Sequence, residues 1–127
     1  MTSDLELKLV EKHPEILSRY RGDVDKTCFA FGFDHGNGWF YIVQEMLDKI
    51  QNIVNETGIE VKVEQIKEKW DSLRCYVDFE PGQRGAKIQQ GISQINEIIS
   101  SAEEISKTTC PRTGEPKQYR INNCYEN

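Results

Sequence analysis

FGFDHGNGWF, residues Phe31 to Phe40, places four aromatics, three glycines, an aspartate and a histidine in ten consecutive positions. It leads into the clearest helical pattern of the chain. Trp39, Ile42, Val43, Met46, Leu47, Ile50, Ile53 and Val54 recur at the i, i+3, i+4, i+7 spacing of one buried stripe, and Gly58 supplies a C-terminal cap. Two readings of the stretch are open. In the first, Asp34 or Asn37 caps the helix, the glycines permit a sharp entry, Phe31, Phe33 and Trp39 join the core, and His35 lies at the surface. In the second, the amides of Gly36, Asn37 and Gly38, at the positive end of the helix dipole, hold a phosphate or carboxylate. The first reading is the more economical for most of these residues. The dinucleotide fingerprint is not met, because Tyr41 stands at the third glycine position of GxGxxG.

After Gly58 the period changes to two. Ile59, Val61 and Val63 alternate with Glu60, Lys62 and Glu64, and Leu73, Cys75, Val77 and Phe79 alternate with Arg74, Tyr76, Asp78 and Glu80. The pattern predicts two strands joined as a hairpin through KEKWDS. PGQRG, Pro81 to Gly85, reads as a loop. A second long helix follows, with Ile88, Ile92, Ile95, Ile99 and Ala102 in a narrow, near-heptad stripe suited either to the first long helix or to a second copy of the chain. Upstream, Ser3 to about Arg19 reads as helix, with Ser3 able to cap it and Pro14 splitting it, and Arg21 to Thr27 reads as a turn. The expected fold is α+β: two long helices packed on a short antiparallel β-hairpin, an N-terminal helical segment and an irregular C-terminal tail. The expected organisation is a single domain over 1–127, with a helical segment at 1–20, an α-β-β-α body at 28–106 and a tail at 107–127.

Composition narrows the classes of function. The 127 residues suit one compact core, and 37% hydrophobic with 29% charged residues is ordinary for a soluble globular protein. A net charge of -5 argues against binding a nucleic-acid duplex, since phosphate affinity needs clustered Lys and Arg. The tail is locally basic: Lys107, Arg112, Lys117 and Arg120 face only Glu115 and Glu126, which leaves room for a small anion. No apolar run approaches the roughly 18–20 residues of a bilayer span. The N-terminus carries acidic residues where a signal peptide would have an apolar core, so the expected compartment is the cytoplasm. Cys28, Cys75, Cys110 and Cys124 form no CxxC pair and read as thiols of a reducing compartment.

Residues that could carry chemistry are sparse. Asp34 and His35 suggest acid–base work or half of a metal site, but adjacent residues usually point apart and no further His lies in the body of the fold. Cys28, Cys75 and Ser72 have no partner that would activate a nucleophile. No catalytic set and no cofactor are therefore expected. The outward alternation of Arg74 and Tyr76, with Lys69 and Trp70 close by, is able to stack on a base and pair with a phosphate, or equally to form an exposed cross-strand pair covered by the tail.

Three motifs together, FGFDHGNGWF, KEKWDSLRCYVD and the terminal CPRTGEP with NNCYEN, resemble a family of small uncharacterised proteins common in tailed-bacteriophage genomes. The likeness covers roughly the last four-fifths of the chain. The family pattern is FGF, a GxGW that opens a helix, KEKFGxLRxY, and two CxxC pairs in a short zinc-ribbon-like tail. Here Thr113 and Asn127 stand where the second and fourth cysteines would be, so the resemblance implies a zinc knuckle that has lost its metal and a tail held by packing. Trp70 and Asp71 stand where the pattern has Phe and Gly, so a tight turn needing glycine must be made differently.

The resemblance implies host takeover or counter-defence. The residues suggest a non-enzymatic protein that sequesters a small anionic, nucleotide-derived host signal. The candidate ligand-binding set is Asp34, His35, Asn37, Trp39, Lys69, Trp70, Arg74, Tyr76 and Arg112. A homodimer could enclose the pocket, in the cytoplasm of a host cell. The alternative is a protein-binding inhibitor or adaptor acting on a host enzyme, and behind it a metal-dependent hydrolase using Asp34 and His35. Convergence of Arg74, Tyr76 and Trp39 on a concave pocket would favour the small ligand, and their dispersal or burial would favour a protein partner.

Overall fold

The computed structural model describes residues 1–117. Helix α1, Ser3–Lys12, starts after Thr2, which makes no side-chain cap, and turns Leu9 and Glu6 inward. It stops before Pro14, which has no N–H to continue the helix and disfavours helical geometry at His13. The expectations of a Ser3 cap and of helix to about Arg19 are thus corrected. The chain continues in turns, but Ile16 and Leu17 still reach the core. His13 is buried and bonds Asp48 Oδ1 at 2.7 Å, while Lys12 Nζ bonds Asp48 Oδ2 at 2.9 Å.

Helix α2, Phe40–Thr57, buries Phe40, Val43, Met46, Leu47 and Ile50. It ends at Gly58, whose φ of 74° is left-handed and whose N–H donates to the Val54 carbonyl at 2.8 Å. Strands β2, Val61–Lys69, and β3, Ser72–Phe79, form the expected antiparallel pair. A register shift between Val63 and Gln65 keeps Val61, Val63 and Ile66 all facing the core. Two residues that showed no period add a third strand. Strand β1, Phe33–Asp34, pairs in parallel with β2 through Phe33 with Ile66 and Asp34 with Lys67, so the sheet is mixed, in the order β1-β2-β3, rather than a two-stranded hairpin.

Helix α3, Ala86–Ser106, places Gly91, Ile95 and Ala102 in the interior and packs on α2, one of the two partners its stripe allowed. Its last turn covers the open edge of β3. Ser106 Oγ accepts the Leu73 N–H at 2.8 Å, so that edge donor does not go unpaired.

The tail then folds back over the start of α2. Cys110 N–H donates to the Glu115 carbonyl (2.8 Å), Gly114 N–H to the Cys110 carbonyl (2.9 Å), and Thr109 bridges Pro116, which closes a tight loop. That loop sits on the glycines of the opening stretch: Gly38 N–H donates to the Pro111 carbonyl at 2.8 Å and the Trp39 indole Nε1 donates to the Thr109 carbonyl at 2.8 Å. A Cβ on Gly36 would lie 2.1 Å from the Pro111 oxygen, and one on Gly38 2.3 Å from the Cys110 oxygen. These two positions need glycine because another backbone occupies the space. Cys124, the second half of the knuckle-like tail, lies outside the described residues.

Replacing Gly38 with Ala must push the tail loop off the helix entry, so Gly38→Ala is expected to cost about 1–3 kcal/mol or more in denaturant unfolding. Gly82→Ala gives the contrast: its Cβ would meet nothing within 4 Å, and only the strain of its positive φ opposes it. Equal losses from the two substitutions would contradict the packing described.

Candidate functional site on the open sheet face

The FGF segment is set by a residue that sequence patterning passed over. Glu6, 1% exposed, accepts the Tyr20 hydroxyl at 2.6 Å and the Phe33 N–H at 3.1 Å, with the Arg21 guanidinium 3.5 Å away. Gly32, at φ 75°, passes so close that a Cβ would lie 2.8 Å from Glu6 Oε1. Phe29 and Phe33 pack edge to face against each other and around Tyr20. Phe31, expected in the core, is 73% exposed. A mid-helix Glu on a polar-looking face gives little sign of burial in sequence; only its position on the same turn as Leu9 hints at it.

Successive residues of β1 point to opposite sides, so Phe33 is buried and Asp34 is exposed. His35, expected at the surface, is buried between the rings of Phe33 and Trp39. Its Nδ1 bonds the Gly36 carbonyl at 2.8 Å, while Nε2 has no partner among the described residues. Burial pulls its pKa down to about 4, the Gly36 bond opposing that and the nearby Met1 amino group adding to it. His35 is thus a neutral core residue near pH 7. Neither Asp34 nor Asn37 caps α2: the helix starts from the 3-10 turn Asn37–Trp39 without a side-chain cap, and Asn37 Oδ1 instead accepts the Thr2 N–H at 2.9 Å. Of the three amides expected to hold an anion, that of Gly38 is engaged, its N–H bound to the Pro111 carbonyl of the tail.

The outer face of the sheet is where candidate residues gather. Asp34, Lys67 and Arg74 occupy laterally paired positions on β1, β2 and β3, so their side chains share one face. The row ends on α3, where Glu103 Oε1 accepts from Arg74 Nη1 at 3.1 Å. Arg74 Nε is shielded and has no acceptor among the described residues, and Lys67 has no ion-pair partner there. Gln65 and Tyr76 form the next row, with Tyr76 44% exposed.

The hairpin tip adjoins this face. Trp70 (φ 52°) and Asp71 (φ 64°) are both left-handed, the geometry of a two-residue primed turn in which Asp71 serves where the family pattern has Gly. Holding bulky side chains there costs stability, and the neighbouring contacts offset it: Lys117 Nζ, nearly buried, binds both Asp71 Oδ1 (2.8 Å) and its carbonyl (3.1 Å), and Asp71 N–H donates to Glu68 Oε2 at 2.8 Å. Trp70 itself stands 82% exposed, with Lys69 Nζ 4.9 Å from its ring centroid.

Of the nine sequence candidates, Asp34, Arg74 and Tyr76 therefore share the open face, and Lys69 and Trp70 form its tip. His35 and Trp39 are interior, with Trp39 completely buried. Asn37 ties the N-terminal segment to the helix entry. Arg112 is exposed in the tail loop beside Gly36. Arg74, Tyr76 and Trp39 do not converge on a concave pocket. Two clefts lie elsewhere: one of about 140 Å³ between α2 and α3, lined by Tyr41, Ile42, Met46, Ile98, Ala102 and Ile105 with Glu45 and Lys49 at its edge, and one of about 300 Å³ beside Glu15, Ile59 and Lys62. Cys75 is a poor nucleophile, because burial pushes its thiol up to about 12. Among the described residues no three His, Cys, Asp or Glu side chains cluster as metal ligands, and none of their helices is long and apolar enough to cross a membrane. Comparison with protein-family models, curated proteins and solved structures gives no match.

The buried His35 sets a pH dependence. Its folded pKa of about 4 lies below the usual 6.5, so the unfolded chain binds the proton first, and stability is full above about pH 6.5 and falls as the pH drops toward 4. The difference is worth about 3 kcal/mol. Urea unfolding at pH 7 and pH 4.5 should show this loss in the native chain and a clearly smaller one in His35→Gln. The same loss in both would place the titration elsewhere.

Proposed function

We propose that the chain is a non-enzymatic binding protein, of the phage type its motifs resemble, that sequesters a small anionic, nucleotide-derived ligand in host takeover or counter-defence. One observation carries the reading: Lys67, without an ion-pair partner among the described residues, lies beside Arg74 on the open sheet face, with the half-exposed Tyr76 ring in the next row. Lys67 and the Arg74 guanidinium supply charge for a phosphate, Tyr76 supplies a surface for a base, and Asp34 supplies an acceptor for a sugar hydroxyl. Trp39, being interior, leaves the ligand set. The ligand would lie on a face rather than in a cavity.

A second reading, an inhibitor or adaptor that binds a host enzyme, is favoured by the burial of Trp39 away from Arg74 and Tyr76 and by the apolar cleft between α2 and α3, where Tyr41 is 77% and Ile105 52% exposed. The hydrolase reading has lost its pair, since Asp34 faces outward and His35 is enclosed.

Titration calorimetry with AMP, ATP and a cyclic dinucleotide tests the first reading. One of them should bind, and Arg74→Ala and Tyr76→Ala should each weaken it roughly tenfold or more. No heat from any of the three at millimolar concentration, or binding indifferent to both substitutions, would move the assignment to a protein partner.

A further inference from the structure

Trp70 is the most exposed large hydrophobic side chain among the described residues, and it is held in an unfavourable backbone conformation. Asn or Gly closes such a turn at lower cost. The indole contributes little to its own fold, yet the turn beneath it is fixed by the buried Lys117 and by Glu68. A rigid, protruding aromatic of this kind suits insertion into another surface.

The same molecule carries a matching recess. The cleft between α2 and α3 is apolar along Ile42, Met46, Ile98 and Ala102, is flanked by the exposed Tyr41 and Ile105, and has Glu45 on its rim. Lys69, which rides on the Trp70 ring, has no ion-pair partner among the described residues, and Glu45, its carboxylate 67% exposed, holds Lys49 through Oε1 at 3.1 Å, which leaves Oε2 for the Lys69 of another copy. Knob and recess lie at one end of the fold: Ile105 borders the cleft, and its neighbour Ser106 binds Leu73, three residues beyond Trp70. Two patches so placed are what a two-fold axis requires to bury both at once.

We infer that two copies of this chain associate, each inserting Trp70 into the α2–α3 cleft of the other with Lys69 against Glu45. The inference stands apart from the ligand reading. The dimer leaves each chain's fold unchanged and covers Tyr41, Ile105 and Trp70 together.

Sedimentation velocity of the full chain across micromolar to submillimolar concentrations is the test, alongside thermal unfolding of every variant. The native chain should approach twice its 14.7 kDa mass. Trp70→Asn, which suits the left-handed turn, and Ile105→Glu, on the other surface, should each raise the dissociation constant roughly 30-fold or more while each remains folded. Equimolar mixing of the two variants should restore part of the dimer, because one of the two contacts is then intact. A native chain that stays monomeric throughout overturns the proposal, as does a dimer indifferent to both substitutions. Association of a monomeric chain with a foreign helix through the cleft would likewise overturn it.

Discussion

The close approach of the Cys110 and Pro111 carbonyls to the Cα atoms of Gly36 and Gly38 is the contact on which the rest of the fold depends. It brings the tail back across the chain, where it satisfies the Trp39 indole and the Gly38 amide, and it leaves Lys117 beside the hairpin turn. Because Trp39 is completely buried, its N–H requires an internal partner, and the Thr109 carbonyl is that partner. The tail therefore acts as a strap between the start of α2 and the tip of the sheet. The loop from Cys110 to Glu115 is closed by its own backbone hydrogen bonds.

Around this strap the polar groups divide into two sets. Glu6, His13 and His35 are enclosed, and Glu6 and His13 act as joints: Glu6 fixes the FGF segment and His13 ties the end of α1 to Asp48 on α2. Lys67, Lys69, Arg74 and Tyr76 face outward on the sheet or its tip. Of the enclosed set only His35 was a candidate in sequence, because DHGNG carries the residue types of a site. The outward set is more available to a ligand, because a group already bonded to backbone and shut from water has little left to offer one.

The long elements were legible in the sequence because their periods are long enough to declare themselves. The α2 stripe, the alternation of β2 and β3 and the Gly58 cap all appear as read. Strand β1 did not, since two residues cannot display a period and its parallel pairing with β2 is a tertiary event. The overlong N-terminal helical segment came from Leu5, Leu9 and Ile16, which recur at helical spacing, and Pro14, expected to split the segment, in fact ends the helix, with Ile16 reaching the core from a turn. The glycines of GNG were read as freedom for a turn or as a cradle for an anion, whereas their cause is a backbone more than seventy residues away. That same distance explains why Phe31 and His35 were assigned to the wrong sides. Of the candidate site, the Arg74 and Tyr76 alternation was visible from period alone. Lys67 was not singled out, because its place beside Arg74 depends on the hairpin register.

The strap can be examined without altering the chain. In hydrogen exchange followed by NMR, the two tryptophans give two indole N–H signals, one buried and one exposed. The Trp39 indole and the Gly38 amide should be strongly protected and should open together. Fast exchange at Trp39 and Gly38, with the core of α2 still protected, would mean that the tail does not hold the helix entry and would contradict the structure at its central contact.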